Sequence, residues 1–147
     1  FIESISIEKI YPSTIHIKTK VTNFVAITYI DQKKHFVGLN GNFILAKNIL
    51  NEKKLPIIFG KFNPGDYIIL QRELLRQKID PNEIIKYYFH KNKRWDLHFK
   101  NNIIIKLPSK NITKALKVLK EFELSNIIPP GTIIDLRIQN RLILSNE

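Results

Sequence analysis

The fold is decided by residues 93–109, which read KRWDLHFKNNIIIKLPS. Trp95, Leu97 and Phe99 recur at every second position, which is the period of a half-buried β-strand. Apolar segments of strand length lie on both sides, after short polar turns, at residues 84–89 and 103–107. Consecutive strands on short turns predict an antiparallel meander, and we expect the three alternating side chains to face the core together.

The other strand signals lie towards the N-terminus. Residues 4–21 alternate around the turn residues Tyr11-Pro12-Ser13 and predict a β-hairpin. An apolar run at 24–30 and two short segments near 35–37 and 42–45 predict three more strands.

The sequence finishes with two predicted strands, 132–138 and 141–145, joined by a two-residue turn. No later segment of this sequence can cover the last strand, so we expect it to be an open sheet edge. With a two-residue turn, Leu142 and Leu144 are predicted to lie outside the main core, on the face opposite Ile134.

Two helices complete the predicted topology. Residues 67–79 carry apolar side chains near helical spacing and stop before Asp80-Pro81. Residues 109–124 have an apolar stripe with lysines opposite, and Ser109 is the expected N-cap. Many antiparallel strands with two helices predict an α+β fold, built on an antiparallel or mixed sheet.

The composition is basic and free of sulfur. Lysine and arginine number 24 against 13 acidic residues, which gives a net charge of +11. Such a charge is typical of proteins that bind polyanions, although the abundance of Ile, Lys and Asn also fits an AT-rich genome. Cysteine is absent, which excludes disulfides, thiolate zinc sites and a cysteine nucleophile. The first residue is Phe1 and not methionine, so we expect a fragment of a longer protein.

No catalytic, cofactor or metal constellation stands out. The glycines form neither a phosphate-binding loop nor a dinucleotide fingerprint. His90 and His98 are predicted to lie on opposite faces of the meander, which argues against a metal site. Asp135 and Arg137 are two apart and are expected to form a surface ion pair. The sequence therefore predicts a protein that is not an enzyme.

Five segments together resemble one family, the bacterial cell-division proteins FtsQ/DivIB. Residues 93–103 are similar to its R-x-W-x-L-x-L-x-N-G-x strand–turn–strand, and residues 134–142 resemble its terminal D-L-R signature in the alphaproteobacterial style. The other matching segments, in the order of the family, are Tyr11-Pro12-Ser13-Thr14-Ile15-His16-Ile17, Leu55-Pro56-Ile57-Ile58-Phe59-Gly60 and Ile105-Lys106-Leu107-Pro108.

The resemblance implies an architecture and a location. Residues 1–21 would be the last two strands of a POTRA domain, and residues 22–147 the FtsQ-type β-domain. Both would lie in the periplasm, in a single-pass protein of the inner membrane that an upstream helix anchors at the division septum. The family implies a non-enzymatic scaffold without cofactors, which binds FtsB and FtsL.

The resemblance also implies a partner-binding site. In the family, the partner binds at the last strand of the β-domain with help from a basic residue before the tryptophan of the meander. On this chain, those positions are Lys93, Arg94, Ile138, Asn140, Arg141, Leu142, Ile143, Leu144 and Ser145.

Two alternatives remain open at this level. The net charge alone favours a basic nucleic-acid-binding module, whereas the resemblance implies no nucleic acid. A POTRA-containing component of outer-membrane secretion or assembly is a nearer alternative. Self-association of the fragment through the hairpin is a further possibility, because an isolated two-stranded hairpin is marginal in water.

Overall fold

The computed structural model describes residues 2–47 and 53–146. Within these ranges there are two α-helices and eleven strands, and the strands form two separate sheets. The strands are β1 (Ile2–Ile10), β2 (Thr14–Val21), β3 (Phe24–Ile30), β4 (Lys33–Gly38), β5 (Phe43–Leu45), β6 (Ile57–Phe59), β7 (Ile84–Phe89), β8 (Trp95–Phe99), β9 (Ile104–Lys106), β10 (Thr132–Asp135) and β11 (Ile143–Asn146). The helices are α1 (Pro64–Arg76) and α2 (Ile112–Ser125), with a 3₁₀ turn at Pro81–Glu83. The predicted α+β class is confirmed.

Strands β1 and β2 form the predicted hairpin as a sheet of their own. Their register pairs Ile7 with Ile17, and Ile5 and Ile15 lie at alternate positions on the same face. The isoleucines of this face are largely exposed.

The other nine strands form one mixed sheet in the order β11-β10-β9-β8-β7-β6-β3-β4-β5. Strands β7, β8 and β9 are the predicted antiparallel meander. Parallel pairs join β3 to β6, β6 to β7 and β9 to β10, because the chain passes through a helix or a longer loop before it returns to the sheet.

Both helices contribute to one hydrophobic core against one face of this sheet. Trp95 and Leu97 are buried and Phe99 packs against the core, as the alternation predicts. The ring centroid of Trp95 lies 4.7 Å from that of Phe89 and 5.9 Å from that of Phe62. Trp95 is therefore a core residue.

Each helix starts at a different residue from the one expected. Helix α1 begins at Pro64, where Asn63 is the N-cap and its side chain accepts a hydrogen bond from the Gly65 amide at 2.8 Å. Proline is favoured at the first helical position, which explains why the expected loop is the first turn of the helix. Helix α2 begins three residues after Ser109, because Asn111 adopts a left-handed conformation with φ of 58° and only then does the chain become helical.

The turn between β7 and β8 has three residues, one fewer than the four-residue turn expected from the sequence, and this changes which face each histidine occupies. The amide of His90 donates to the carbonyl of Arg94, so three residues, with Lys93 left-handed at φ 61°, form the loop. Because Lys86 pairs with His98 and Tyr88 with Asp96, His90 and His98 share the face away from the helices. Their predicted placement on opposite faces is wrong.

Candidate functional site

Strand β11 is an edge of the nine-stranded sheet. It pairs with β10 alone among the strands that the structure describes, and its four residues are exposed. Its outer side carries backbone N–H and C=O groups that can hydrogen-bond to an added strand. The sequence predicted this edge at 141–145, and the strand runs from Ile143 to Asn146.

The predicted orientation of the leucines at this edge is wrong. Ile134, which is buried, pairs with Leu144, so Leu144 lies on the helix-covered face. Leu142 packs against the core, and Ile143 pairs with Asp135 on the opposite face.

The reason for this reversal is a one-residue irregularity beside the turn. The turn itself is as predicted, because the Arg141 amide donates to the Ile138 carbonyl at 3.1 Å. Between this turn and the first pair of β10 and β11, however, the two sides differ in length. Two residues, Leu136 and Arg137, lie opposite a single residue, Leu142. An extra residue of this kind acts like a β-bulge and exchanges the faces of the following strand.

Next to the turn lies a pocket of about 370 Å³, which we call the basic pocket. It is formed by the loop before α2, the first turns of α2, the turn before β11 and the residue before Trp95. Among the described residues, its lining includes no carboxylate. Five cationic side chains line it: Arg94, Lys110, Lys114, Arg137 and Arg141. Apolar atoms of Ala115, Val118 and Leu136 also line the pocket. This arrangement suits a segment that carries both acidic and apolar side chains.

The loop that carries Arg94 is held by local hydrogen bonds. The Lys93 amide donates to the His90 carbonyl at 2.9 Å, and Arg94 Nε donates to Asn92 Oδ1 at 3.0 Å. At the base of the loop, His90 Nε2 lies 2.8 Å from Asp96 Oδ2. These contacts fix the position from which the Arg94 side chain reaches the pocket.

Arg137 is held in place by an ion pair with Asp135. Arg137 Nε donates to both carboxylate oxygens of Asp135, at 2.8 and 2.9 Å, which confirms the predicted ion pair. These hydrogen bonds, with the nearby charge of Lys106, hold the pKa of Asp135 below its usual value, and the hydrogen bonds to Asp135 raise the pKa of Arg137. Arg137 therefore remains fully cationic at the pocket.

The start of α2 adds to the positive potential of the pocket. Asn111 and Lys114 line it, and the N-cap Asn111 makes no side-chain hydrogen bond to the helix. The first backbone amides of a helix favour a nearby negative charge.

The structure places the predicted site residues at three neighbouring locations: the basic pocket, an adjacent groove and the edge strand. Arg94, Ile138, Asn140 and Arg141 line the basic pocket. Lys93 faces a neighbouring groove. The remaining predicted positions lie on or just before β11: Leu142, Ile143, Leu144 and Ser145.

Sequence reasoning missed Lys110, Lys114 and Arg137 as members of this site. Lys110 and Lys114 are four residues apart in the helix predicted over 109–124, and this spacing is typical of an ordinary solvated helix face. The signal available in the sequence was the position of Lys110 just after Pro108-Ser109, where the chain leaves the meander close to Arg94.

In residues 2–47 and 53–146 there is no group of three His, Asp or Glu side chains that could hold a metal ion. Over the same ranges, none of the helices combines the length and the apolar character needed to cross a membrane.

Comparison with known proteins identifies the family. The sequence model described as "Cell division protein FtsQ/DivIB, C-terminal" matches residues 26–137. FtsQ from Rhizobium radiobacter is 24% identical over 143 residues, which cover 96% of this chain and 68% of that protein. FtsQ from Rickettsia bellii is 29% identical over 129 residues, covering 86% of this chain and 47% of that protein.

A further relative and one solved structure are also similar to parts of the chain. FtsQ from Agrobacterium fabrum is 24% identical over 96% of this chain, which spans only 45% of that protein. The chain thus covers about half the length of several relatives. A structure of the major extracytoplasmic domain of DivIB from Geobacillus stearothermophilus aligns with a TM-score of 0.42 and 12% identity, over 67% of this chain and 87% of that one. Because the family model spans more than half of its length, the chain belongs to the FtsQ/DivIB family of cell division proteins.

Proposed function

We propose that this chain is the partner-binding part of a non-enzymatic scaffold of the bacterial division machinery. Its site is the edge of β11 together with the basic pocket, and its partners are the periplasmic segments of FtsB-like and FtsL-like proteins. The observation that carries the proposal is the position of an open strand edge directly beside a pocket lined by five cationic side chains.

The proposal includes the architecture that the family resemblance implies. Residues 1–21 are the last two strands of a POTRA domain, and residues 22–147 are the β-domain. The separate two-stranded sheet of β1 and β2 supports this division. Both parts lie in the periplasm, and a helix upstream of Phe1 anchors the protein in the inner membrane.

Strand addition explains how the edge contributes to binding. A partner strand beside β11 forms backbone hydrogen bonds that do not depend on its sequence, and specificity comes from the alternating side chains. On the helix-covered face, the partner meets a cleft lined by Phe122, Ile127 and Leu144. We expect an apolar partner residue on this face.

The basic pocket adds recognition of acidic groups. Carboxylates of the partner approach a surface with several fixed cations, which accelerates association and excludes basic segments. Arginine is suited to this role because its planar guanidinium can bind a carboxylate through two parallel hydrogen bonds.

The test measures binding of synthetic periplasmic segments of FtsB-like and FtsL-like proteins to two proline variants, Ile143→Pro and Leu144→Pro. Backbone N–H groups alternate in direction along a strand, so one of the two variants removes an outward donor and the other removes a donor to β10. We expect the variant that keeps its circular dichroism spectrum to lose binding. Undiminished binding by that folded variant excludes the β11 edge as the site.

A second pair of variants tests the pocket. Arg94→Glu with Arg141→Glu should mainly slow association, whereas Lys33→Glu with Arg72→Glu, at two exposed positions that line neither the pocket nor the neighbouring groove, should not. A duplex DNA of arbitrary sequence serves as the competing ligand. Steep, salt-dependent binding of that DNA, with no binding of the division segments, supports the nucleic-acid alternative instead.

A further inference from the structure

A second concave surface adjoins the basic pocket, between the N-terminal halves of α1 and α2. Its volume is about 320 Å³, and we call it the interhelix groove. Its apolar lining comes from both helices and from the ends of two strands: Ile69, Leu70, Phe89, Trp95 and Ile112. Ile69 is 63% exposed although it is a large apolar residue at the mouth of a groove.

The interhelix groove and the basic pocket adjoin each other at one residue. Ser109 lines both concavities. The consecutive residues Lys93 and Arg94 line one each, with Lys93 at the groove and Arg94 at the pocket. A segment bound in the basic pocket can therefore extend past Ser109 into the groove.

The two concavities differ in charge. Two carboxylates of α1, Asp66 and Glu73, line the groove together with a single cation, Lys93, whereas the pocket has five cations and no carboxylate among its described lining residues. Glu73 is engaged by Arg76 at 3.1 Å and by Gln77 at 3.0 Å. Asp66 makes no ion pair with any described residue, so its charge is available to a ligand.

We propose that the interhelix groove binds the continuation of the same partner segment, and that this segment presents an acidic, an apolar and a basic residue in that order along its length. The acidic residue occupies the basic pocket, the apolar side chain lies between Ile69 and Ile112, and the basic residue faces Asp66. This inference rests on the proposed function, since it assigns the remainder of the same partner.

The inference adds a criterion for specificity. A uniformly acidic segment satisfies the basic pocket but places a carboxylate against Asp66, where like charges repel. A segment with mixed charges in the stated order satisfies both concavities. The groove therefore distinguishes the correct partner from other acidic chains.

The chain offers a matched pair of variants for the test, Ile69→Glu and Leu75→Glu. The two parent residues lie on the same helix and are 63% and 62% exposed, but only Ile69 lines the groove. We expect Ile69→Glu to weaken binding of a synthetic FtsB-like periplasmic segment by about tenfold or more, since it places a charge against a buried apolar contact. The control Leu75→Glu should bind within about twofold of the parent protein.

A second measurement does not depend on any substitution. In isoleucine methyl-labelled parent protein, the methyl signals of Ile69 and Ile112 should shift when the segment is added. One outcome overturns the proposal for the groove but not the proposal for the pocket. In that outcome, Arg94→Glu weakens binding, but the methyl signals do not shift and Ile69→Glu binds the segment with the affinity of the parent protein. If the parent protein does not bind the segment, both proposals are overturned.

Discussion

Arg137 Nε donates hydrogen bonds to both carboxylate oxygens of Asp135, and the same guanidinium lines the basic pocket. Asp135 thus holds the arginine at the pocket and also offsets part of its charge. The relationship links the stability of this end of the sheet to the electrostatic potential that a partner meets.

The first prediction concerns the pH dependence of this ion pair. The pKa of Asp135 is lower in the folded protein than in the unfolded chain, so the pair stabilises the fold above about pH 3.9. Its contribution is lost as the pH falls through the folded pKa. We expect Asp135→Asn to lower the free energy of unfolding by about 0.2–1 kcal/mol at neutral pH, and by less in acid.

Denaturant unfolding of parent and variant at about pH 7 and about pH 2.5 measures this difference. Asp31→Asn is the control, because Asp31 is exposed in the turn between β3 and β4 and its carboxylate has no ion pair with any described residue. A difference between parent and Asp135→Asn that is the same at both pH values contradicts the prediction.

The second prediction concerns Trp95, which is 3% exposed and surrounded by aromatic rings. Trp95→Ala should cost about 3–5 kcal/mol, because it removes a large buried side chain and leaves a cavity. The melting temperature should fall by roughly ten degrees or more, and by less in Trp95→Phe. A Trp95→Ala variant that melts like the parent but no longer binds partner segments would show that the tryptophan is a binding residue.

The third prediction concerns two buried tyrosines. Burial raises the pKa values of Tyr67 and Tyr87, and Gln71 Nε2 donates to the Tyr87 hydroxyl at 2.7 Å. In the unfolded chain both hydroxyls ionise near pH 10. The contribution of the two tyrosines to the free energy of unfolding is therefore fully present below about pH 10 and is lost as the pH rises further.

We therefore expect the phenolate absorbance of Tyr67 and Tyr87 to appear together with the loss of the circular dichroism signal. Parent protein, Tyr67→Phe and Tyr87→Phe are compared, with Tyr11→Phe as the exposed control. If the absorbance of either buried tyrosine rises while the fold is still intact, the prediction is wrong.

The fourth prediction concerns the hairpin of β1 and β2. Its residues are mostly exposed and it forms a sheet separate from the main one. Amide hydrogen exchange in a dilute monomer should be faster for residues 4–17 than for residues 95–107, because opening the hairpin disrupts little buried surface. Equal protection of the two segments contradicts this expectation.

The meander was predictable because its information is local. Trp95, Leu97 and Phe99 alternate, and a strand with one buried face must place all three on that face. The two helices were also found, but their first residues depend on the backbone conformations at Asn63 and Asn111, which apolar spacing does not reveal.

The sequence did not reveal which face of the sheet His90, His98 and the side chains of the last strand occupy. Each depends on a single backbone conformation or a single extra residue, namely the left-handed Lys93 and the irregularity opposite Leu142. The basic pocket was only partly predicted, because it joins segments that are distant in the sequence, and no local pattern relates Lys114 to Arg141.

The one-residue irregularity between Leu136-Arg137 and Leu142 has a consequence for how related proteins diverge. Removing one residue on the β10 side would exchange the two faces of β11, so that Ile143 and Ser145 would replace Leu144 above the helices. The strand would keep its composition and its free edge but offer a different set of side chains to a partner. Insertions and deletions in this short connection can therefore change partner choice in one evolutionary step, without any substitution in the strand that binds.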